Sequence, residues 1–197
     1  FAVPLAARIH EGVVFSNRCK KRLPEKMVSL VQLLGVTDPY YFLGDAYYAC
    51  HHVIDGITDD NGHCLSRVRM NAVACYPANK PQQRKRGRPK IYGAKIKLAS
   101  LLENPKLMTE VPSPVYGESQ VVLRYRCMDL LWKPAGRVIR FVAVNHPVRG
   151  LILLMTTDLT LEAMEIIRLY GLRFKIEVSF KQALRTIGAY GYHFWMR

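Results

Sequence analysis

The stretch Asp158–Gly188, DLTLEAMEIIRLYGLRFKIEVSFKQALRTIG, decides how the rest of the chain is read. Its spacing predicts one helix, with a kink at Gly171. Leu172, Ile176, Phe180, Ala183 and Ile187 recur at helical intervals and define an apolar stripe expected to be buried. Lys175, Ser179, Gln182 and Thr186 fall on the opposite side. Between them runs a strip of Tyr170, Arg173, Glu177 and Lys181, which at roughly 100° per residue point within about 40° of Glu177. A carboxylate with cations one turn away has two readings. One is a surface ladder of i,i+4 ion pairs, worth roughly a few tenths of a kcal/mol. The other is a metal-binding carboxylate beside phosphate-binding cations.

Charge narrows the field. Lys and Arg number 29 against 15 Asp and Glu, a net charge of +14 with a sequence pI near 9.8. Such a surface calls for a polyanionic partner, nucleic acid first and an anionic membrane surface second. Half of the 197 residues are hydrophobic, which excludes a disordered chain and suits one domain with a good core, or a core plus an insertion. No run of 18 apolar residues is present to span a bilayer, and the amino terminus does not read as a secretory signal. Phe1 stands where a Met would open a complete protein and lies inside a strand-like pattern, so the chain is expected to be a fragment of a longer one. The five cysteines, Cys19, Cys50, Cys64, Cys75 and Cys127, are scattered without a CxxC, which predicts reduced thiols and no zinc site. His51-His52 is read as a pair of surface or core residues.

Along the chain, FAVPLAARI (residues 1–9) alternates as a strand does. Pro24 opens a helix with the apolar set Leu23, Met27, Leu30, Val31 and Leu34, closed by Gly35. Tyr40-Tyr41-Phe42-Leu43 reads as a strand buried on both faces. It stops at Gly44-Asp45. An acid just past a buried strand is where open α/β sheets place their sites, and equally where an aspartate caps a following helix, here AYYACHHVI. Asp59-Asp60-Asn61-Gly62 predicts a hairpin turn. The strand after it, Cys64–Ala72, sets Arg67, Arg69 and Asn71 on one face. From Lys95 to Thr157 four Val/Leu/Ile-rich runs, IKLAS, VVLRYRCMDLLW, RVIRFVAVNH and GLILLMTTD, predict antiparallel strands. Asp129 and Asp158 are further acids in this region; Asp158 reads as part of the approach to a helix capped by Thr160.

Residues 76–93, YPANKPQQRKRGRPKIYG, break every periodicity and read as a basic loop or linker. Six of the eleven residues from Lys80 to Lys90 are basic. Arg86-Gly87-Arg88-Pro89 resembles the core of an AT-hook, whose narrow backbone lets arginines lie along an A·T-rich minor groove. Arg84, Lys85, Arg86, Arg88 and Lys90 are therefore candidate DNA contacts, to the minor groove or to phosphates alone.

Tyr170-x-x-Arg173-x-x-x-Glu177 resembles the Y-R-E part of the signature of insertion-sequence transposases of the DDE type. LYGLRFKIE through YGYHFWMR looks like the same family, and a weaker likeness extends to residue 1. The signature's lysine, seven residues after the glutamate, is Leu184 here, with Lys181 or Arg185 nearby as substitutes. The resemblance implies an α/β fold: a ribonuclease H-like mixed sheet with flanking helices and a β-rich insertion, the amino-terminal part of the core missing. It divides the chain into a first part of the core (1–75), a basic linker and β-rich insertion (76–157), and a carboxy-terminal helix carrying the catalytic glutamate (158–197). It makes Glu177 the third catalytic carboxylate and Asp45, after a segment resembling FLGDAYYA, the second. Both would hold metal, Mg²⁺ or Mn²⁺, with two ions in the complete protein. Tyr170, Arg173 and Lys181 would contact phosphate. It implies action on transposon ends and target DNA, a bacterial cytoplasmic setting associated with the nucleoid, no membrane, and room for a homodimer on DNA.

Phosphodiester cutting and joining by this route uses two hard cations about 4 Å apart, held by acids from separate elements. A third acid is not evident. No aspartate precedes Asp38, and Asp38 is some 20 Å of strand away from Asp45 at about 3.3 Å per residue. The chain alone is thus expected to bind DNA without cutting it. The competing expectations are a DNA-binding or architectural module without chemistry, and another ribonuclease H-like nuclease that cuts without joining.

Overall fold

The structure, a computed structural model, describes residues 5–6, 21–78, 87, 89–115, 117–118 and 120–187. The strand expected over residues 1–9 lies outside the described residues. Among these residues the fold is a mostly antiparallel eight-stranded sheet with helices on both faces, a mixed α/β architecture consistent with the expected ribonuclease H-like sheet. In order along the sheet the strands are β1 (Tyr40–Gly44), β2 (Gly62–Arg67), β8 (Gly150–Thr156), β7 (Arg137–His146), β6 (Val122–Trp132), β3 (Val73–Pro77) and β4 (Tyr92–Lys97), with β5 (Thr109–Pro112) paired to the free part of β6. Only β1 and β2 are parallel, joined by the helix α2 (His51–Thr58).

Side-chain alternation builds two cores, one on each face of the sheet. Cys64, Phe141, Ala143, Leu153 and Met155 point to one face, where they meet α2 through Val53, Ile54 and Ile57 and α1 (Leu23–Gln32) through Val28. Leu65, Val142, Val144 and Leu154, their immediate neighbours in sequence, point to the other face and meet Ile166 and Ile167 of α3 (Ala163–Leu172). Phe141, Leu153, Leu154 and Met155 are fully buried or nearly so. Truncating such a side chain to alanine costs roughly 2–5 kcal/mol.

The predicted first helix forms, with Pro24 in its first turn and Gly35 beyond its end at φ +59°. Glu25 accepts a 2.8 Å hydrogen bond from the Arg22 N–H, satisfying an otherwise orphaned donor of the first turn. The helix packs on α2 at Gly56, where a Cβ would come within 2.5 Å of Val28 Cγ1.

Several local expectations are corrected. β1 is the edge strand of the described sheet and only half-buried, with Tyr41 37% exposed, because β2 pairs with it on one side only. Asp59–Gly62 is not a hairpin but the return from α2 to β2, turned by Asn61 at φ +59°. A local turn signal does not say whether the strands it joins are neighbours in sequence or separated by a helix. The strand predicted over Cys64–Ala72 ends at Arg67; Arg69 carries a turn, accepting from the Ala72 N–H, so the three polar residues do not share a strand face. The four β runs expected between Lys95 and Thr157 appear as β4, β6, β7 and β8, while Leu98–Leu102 turns into a short 3₁₀ helix under the core. The described cysteines, Cys50, Cys64, Cys75 and Cys127, are free thiols. No described helix is long and apolar enough to cross a membrane.

Candidate active site

The long helix expected over 158–188 is two helices. α3 ends at Leu172, and α4 (Phe174–Ile187) starts after a break at Arg173, not at Gly171. The approach also differs. Glu162 occupies the N-cap position, and both the backbone N–H and the hydroxyl of Thr160 donate to Asp158 Oδ1, at 2.8 and 2.6 Å. Thr160 therefore closes a turn around Asp158 instead of capping the helix. The apolar stripe is not buried as expected where its side chains are described: Ile176 is 52% exposed and Leu172 only partly buried, while Phe180, Ala183 and Ile187 lie outside the described side chains.

The Tyr170–Arg173–Glu177 group does come together, across the break. The Arg173 guanidinium lies 5.8 Å from the Tyr170 ring centroid and donates to Glu177 Oε1 at 3.2 Å. Arg173 Nε is buried, and among the described residues nothing accepts from it. Glu177 is half-exposed. Lys181 is exposed one turn further along α4. Tyr170, Gly171, Arg173 and Phe174 roof a cavity of about 120 Å³ over Val144 and Ile152.

Asp45 leaves β1 just past Gly44. Ser66 Oγ holds its backbone carbonyl at 2.7 Å, and its carboxylate accepts one bond, from the Tyr47 N–H at 2.9 Å. It does not cap α2, which begins at His51. The side chain is exposed, with its other lone pairs free of any described donor. Strand register relates the two acids. Gly44 pairs with Ser66, which pairs with Met155, and Arg67 pairs with Leu154, so β1 and β2 run toward the β7–β8 turn but end level with the last residues of β8. α3 starts beyond the opposite end of β8 and runs back over Leu65 and Leu154. Its carboxy-terminal turn then lies over Val144 and Ile152. β1 and α3 thus run in the same direction along the sheet, Asp45 following the first and the Arg173 break the second.

Three other carboxylates are consumed by the fold. Asp158, 8% exposed, also accepts from the Tyr41 hydroxyl; burial alone would raise its carboxyl, but Thr160, Tyr41 and the nearby His63 outweigh it and hold it at about 2. Burial and this bond push Tyr41 up to about 12. Asp129 lies directly across from Arg140 and takes a bidentate pair at 2.7 and 2.8 Å. Glu118 is burdened by burial yet held below the usual carboxylate range by Ser113, His146 and Arg149. Sequence reasoning passed over this last cluster, whose members are scattered over residues 113–149 without a motif.

Carboxylate oxygens such as those of Asp45 and Glu177 suit a hard divalent cation. Among the described residues no group of three or more His, Cys, Asp or Glu is arranged to hold an ion. Lys90 is exposed beside a cleft lined by β4; Arg84, Lys85, Arg86 and Arg88 lie outside the described residues. No curated protein matches the chain. A family model described as Transposase DDE domain matches residues 18–189. That span is most of the chain, which therefore belongs to this family of DNA transposition enzymes, proteins that act on DNA and use divalent metal ions.

Proposed function

We propose that Asp45 and Glu177 are two of the acids of a metal-dependent centre that cuts and rejoins phosphodiester bonds at transposon ends. The observation that carries this reading is that β1 and α3 run in the same direction along the sheet, Asp45 following one and the α3–α4 junction the other, with both carboxylates open to solvent. Mg²⁺ or Mn²⁺, two ions in the complete centre, would supply charge stabilisation and an activated oxygen nucleophile. Asp45, anchored through Ser66, offers free lone pairs at a fixed point of the backbone. Glu177 is now paired with Arg173, and would exchange that ion pair for a cation once a phosphate takes the guanidinium. The unpartnered Arg173 Nε–H supports such a role, since a guanidinium recognises phosphate through paired donors. Tyr170 holds the guanidinium from its ring face, and Lys181 adds positive charge a turn away.

Among the described residues no third acid joins Asp45 and Glu177, and on this reading the chain alone binds DNA and leaves it uncut. A second reading, a DNA-binding module without chemistry, is favoured by the Arg173–Glu177 pair and by the lack of a three-acid group among the described residues.

Mn²⁺ titration in the presence of duplex DNA separates the two. In the first reading Asp45→Asn and Glu177→Gln each lower Mn²⁺ affinity by about tenfold or more, worth about 1.4 kcal/mol, while DNA affinity is kept or increased. Unchanged Mn²⁺ binding in both variants rejects the assignment.

A further inference from the structure

We propose that a lysine-lined cleft at the far edge of the sheet is a second contact for the nucleic-acid backbone, remote from the candidate acids. It rests on DNA being the substrate, and adds a place on the chain where DNA is held. The cleft, about 710 Å³ and open, is built by β4 with Tyr92, Gly93 and Lys95, by Lys90 just before that strand, and by Lys133 on the β6–β7 turn, over Cys75 of β3. Lys133 Nζ sits 5.4 Å from the Tyr92 ring centroid, which fixes one ammonium group at the mouth. Gly93 is required by the geometry: a Cβ there would meet the Pro77 carbonyl oxygen at 2.7 Å, where β3 and β4 cross at a bulge.

No acid lines the cleft, and among the described residues none of the three lysines takes part in an ion pair. Elsewhere the described arginines near acids are paired: Arg124 with Glu110, Arg137 with Asp55 and Arg140 with Asp129. Three unneutralised ammonium groups around one concavity repel each other unless a polyanion joins them. Its chemistry is a run of phosphates, because the space exceeds a single phosphate and because Lys90 is the last residue of the basic run Lys80–Lys90.

Position distinguishes this cleft from the active site. Six strand spacings separate β1 from β4, on the order of 29 Å at about 4.8 Å each. Along the strands the offset is small, since Gly44 is level with Met155, Phe141 and Met128 while the cleft's Cys75 is level with Leu131, so the separation is across the sheet. One turn of B-DNA is about 34 Å. The cleft therefore touches the backbone roughly one turn from the bond at the acids, and its lysines are positioning residues.

The test is duplex binding by the full chain as a function of NaCl, for the wild type, the triple variant Lys90→Ala/Lys95→Ala/Lys133→Ala, and the triple Lys→Arg control. All three side chains are exposed, so equal melting temperatures are expected and confirm folding. Each phosphate contact contributes about 0.9 to the slope of log K against log salt. The alanine variant is expected to lose about 2–3 from that slope and roughly 10- to 100-fold in affinity at low salt, with the arginine control near wild type. A wild type that binds duplex DNA and an alanine variant with the same slope and affinity overturn the cleft alone, leaving the acids' assignment standing. Loss of slope in the alanine variant alongside unchanged Mn²⁺ binding in the Asp45 and Glu177 variants supports the cleft and rejects that assignment. Loss of an acidic peptide's binding with DNA binding intact assigns the cleft to a protein partner and overturns the proposal.

Discussion

Asp45 and Asp158 lie just past the two strands that flank β2 and have opposite fates. Each follows a strand that neighbours β2, β1 for Asp45 and β8 for Asp158. Asp158 is 8% exposed, takes donors from Tyr41 and twice from Thr160, and is held at about 2. Asp45 is exposed and accepts a single backbone N–H. A carboxylate whose lone pairs are filled by the fold stabilises the protein and has little left for a cation. One held only through its backbone contributes little to folding and stays available. This contrast, more than the number of acids near the sheet, separates structural from functional candidates here.

The largest effect that sharpens the contrast is expected at Asp158. Replacing it with Ala strands the Tyr41 hydroxyl and the Thr160 donors and should cost about 2–4 kcal/mol in urea or thermal unfolding. The same carboxylate carries a pH signature. Its folded value of about 2 lies below the ordinary 3.8, so its stabilisation is fully present above that value and is lost as pH falls through about 2. That stabilisation amounts to roughly 2 kcal/mol, and Asp158→Asn should flatten the acid limb of the stability curve accordingly. Next comes Glu118, mostly buried between His146, Ser113 and Arg149. Glu118→Ala should destabilise by about 1–2 kcal/mol, and because its carboxyl is depressed, wild-type stability from this group also falls away in acid. The smallest effects belong to the candidate acids: Asp45→Asn and Glu177→Gln should shift unfolding by no more than about 0.5 kcal/mol. An Asp45 variant that unfolds as readily as Asp158→Ala would break the contrast outright.

Much of the sheet was legible because strand alternation is local. VVLRYRCMDLLW and RVIRFVAVNH carry their own period, and β6 and β7 pair in register from Arg124–Asn145 to Trp132–Arg137. What misled were signals whose meaning depends on distant partners. Asp59–Gly62 looked like a hairpin because a turn is the same whether or not a helix precedes it. YYFL looked doubly buried because hydrophobicity does not reveal a strand's place at an edge. The Glu118 cluster escaped because its members are brought together only by folding.

By itself the chain's residue order determined the basic character, the period-two runs of the sheet, and the grouping of Tyr170, Arg173 and Glu177, since charge, alternation and helical spacing act over a turn or a strand. Tertiary structure alone decided the break at Arg173, the return of α3 along the sheet in the direction of β1, and which carboxylates find donors. Those outcomes depend on contacts between residues far apart in sequence, such as Tyr41 with Asp158, and no local spacing encodes them.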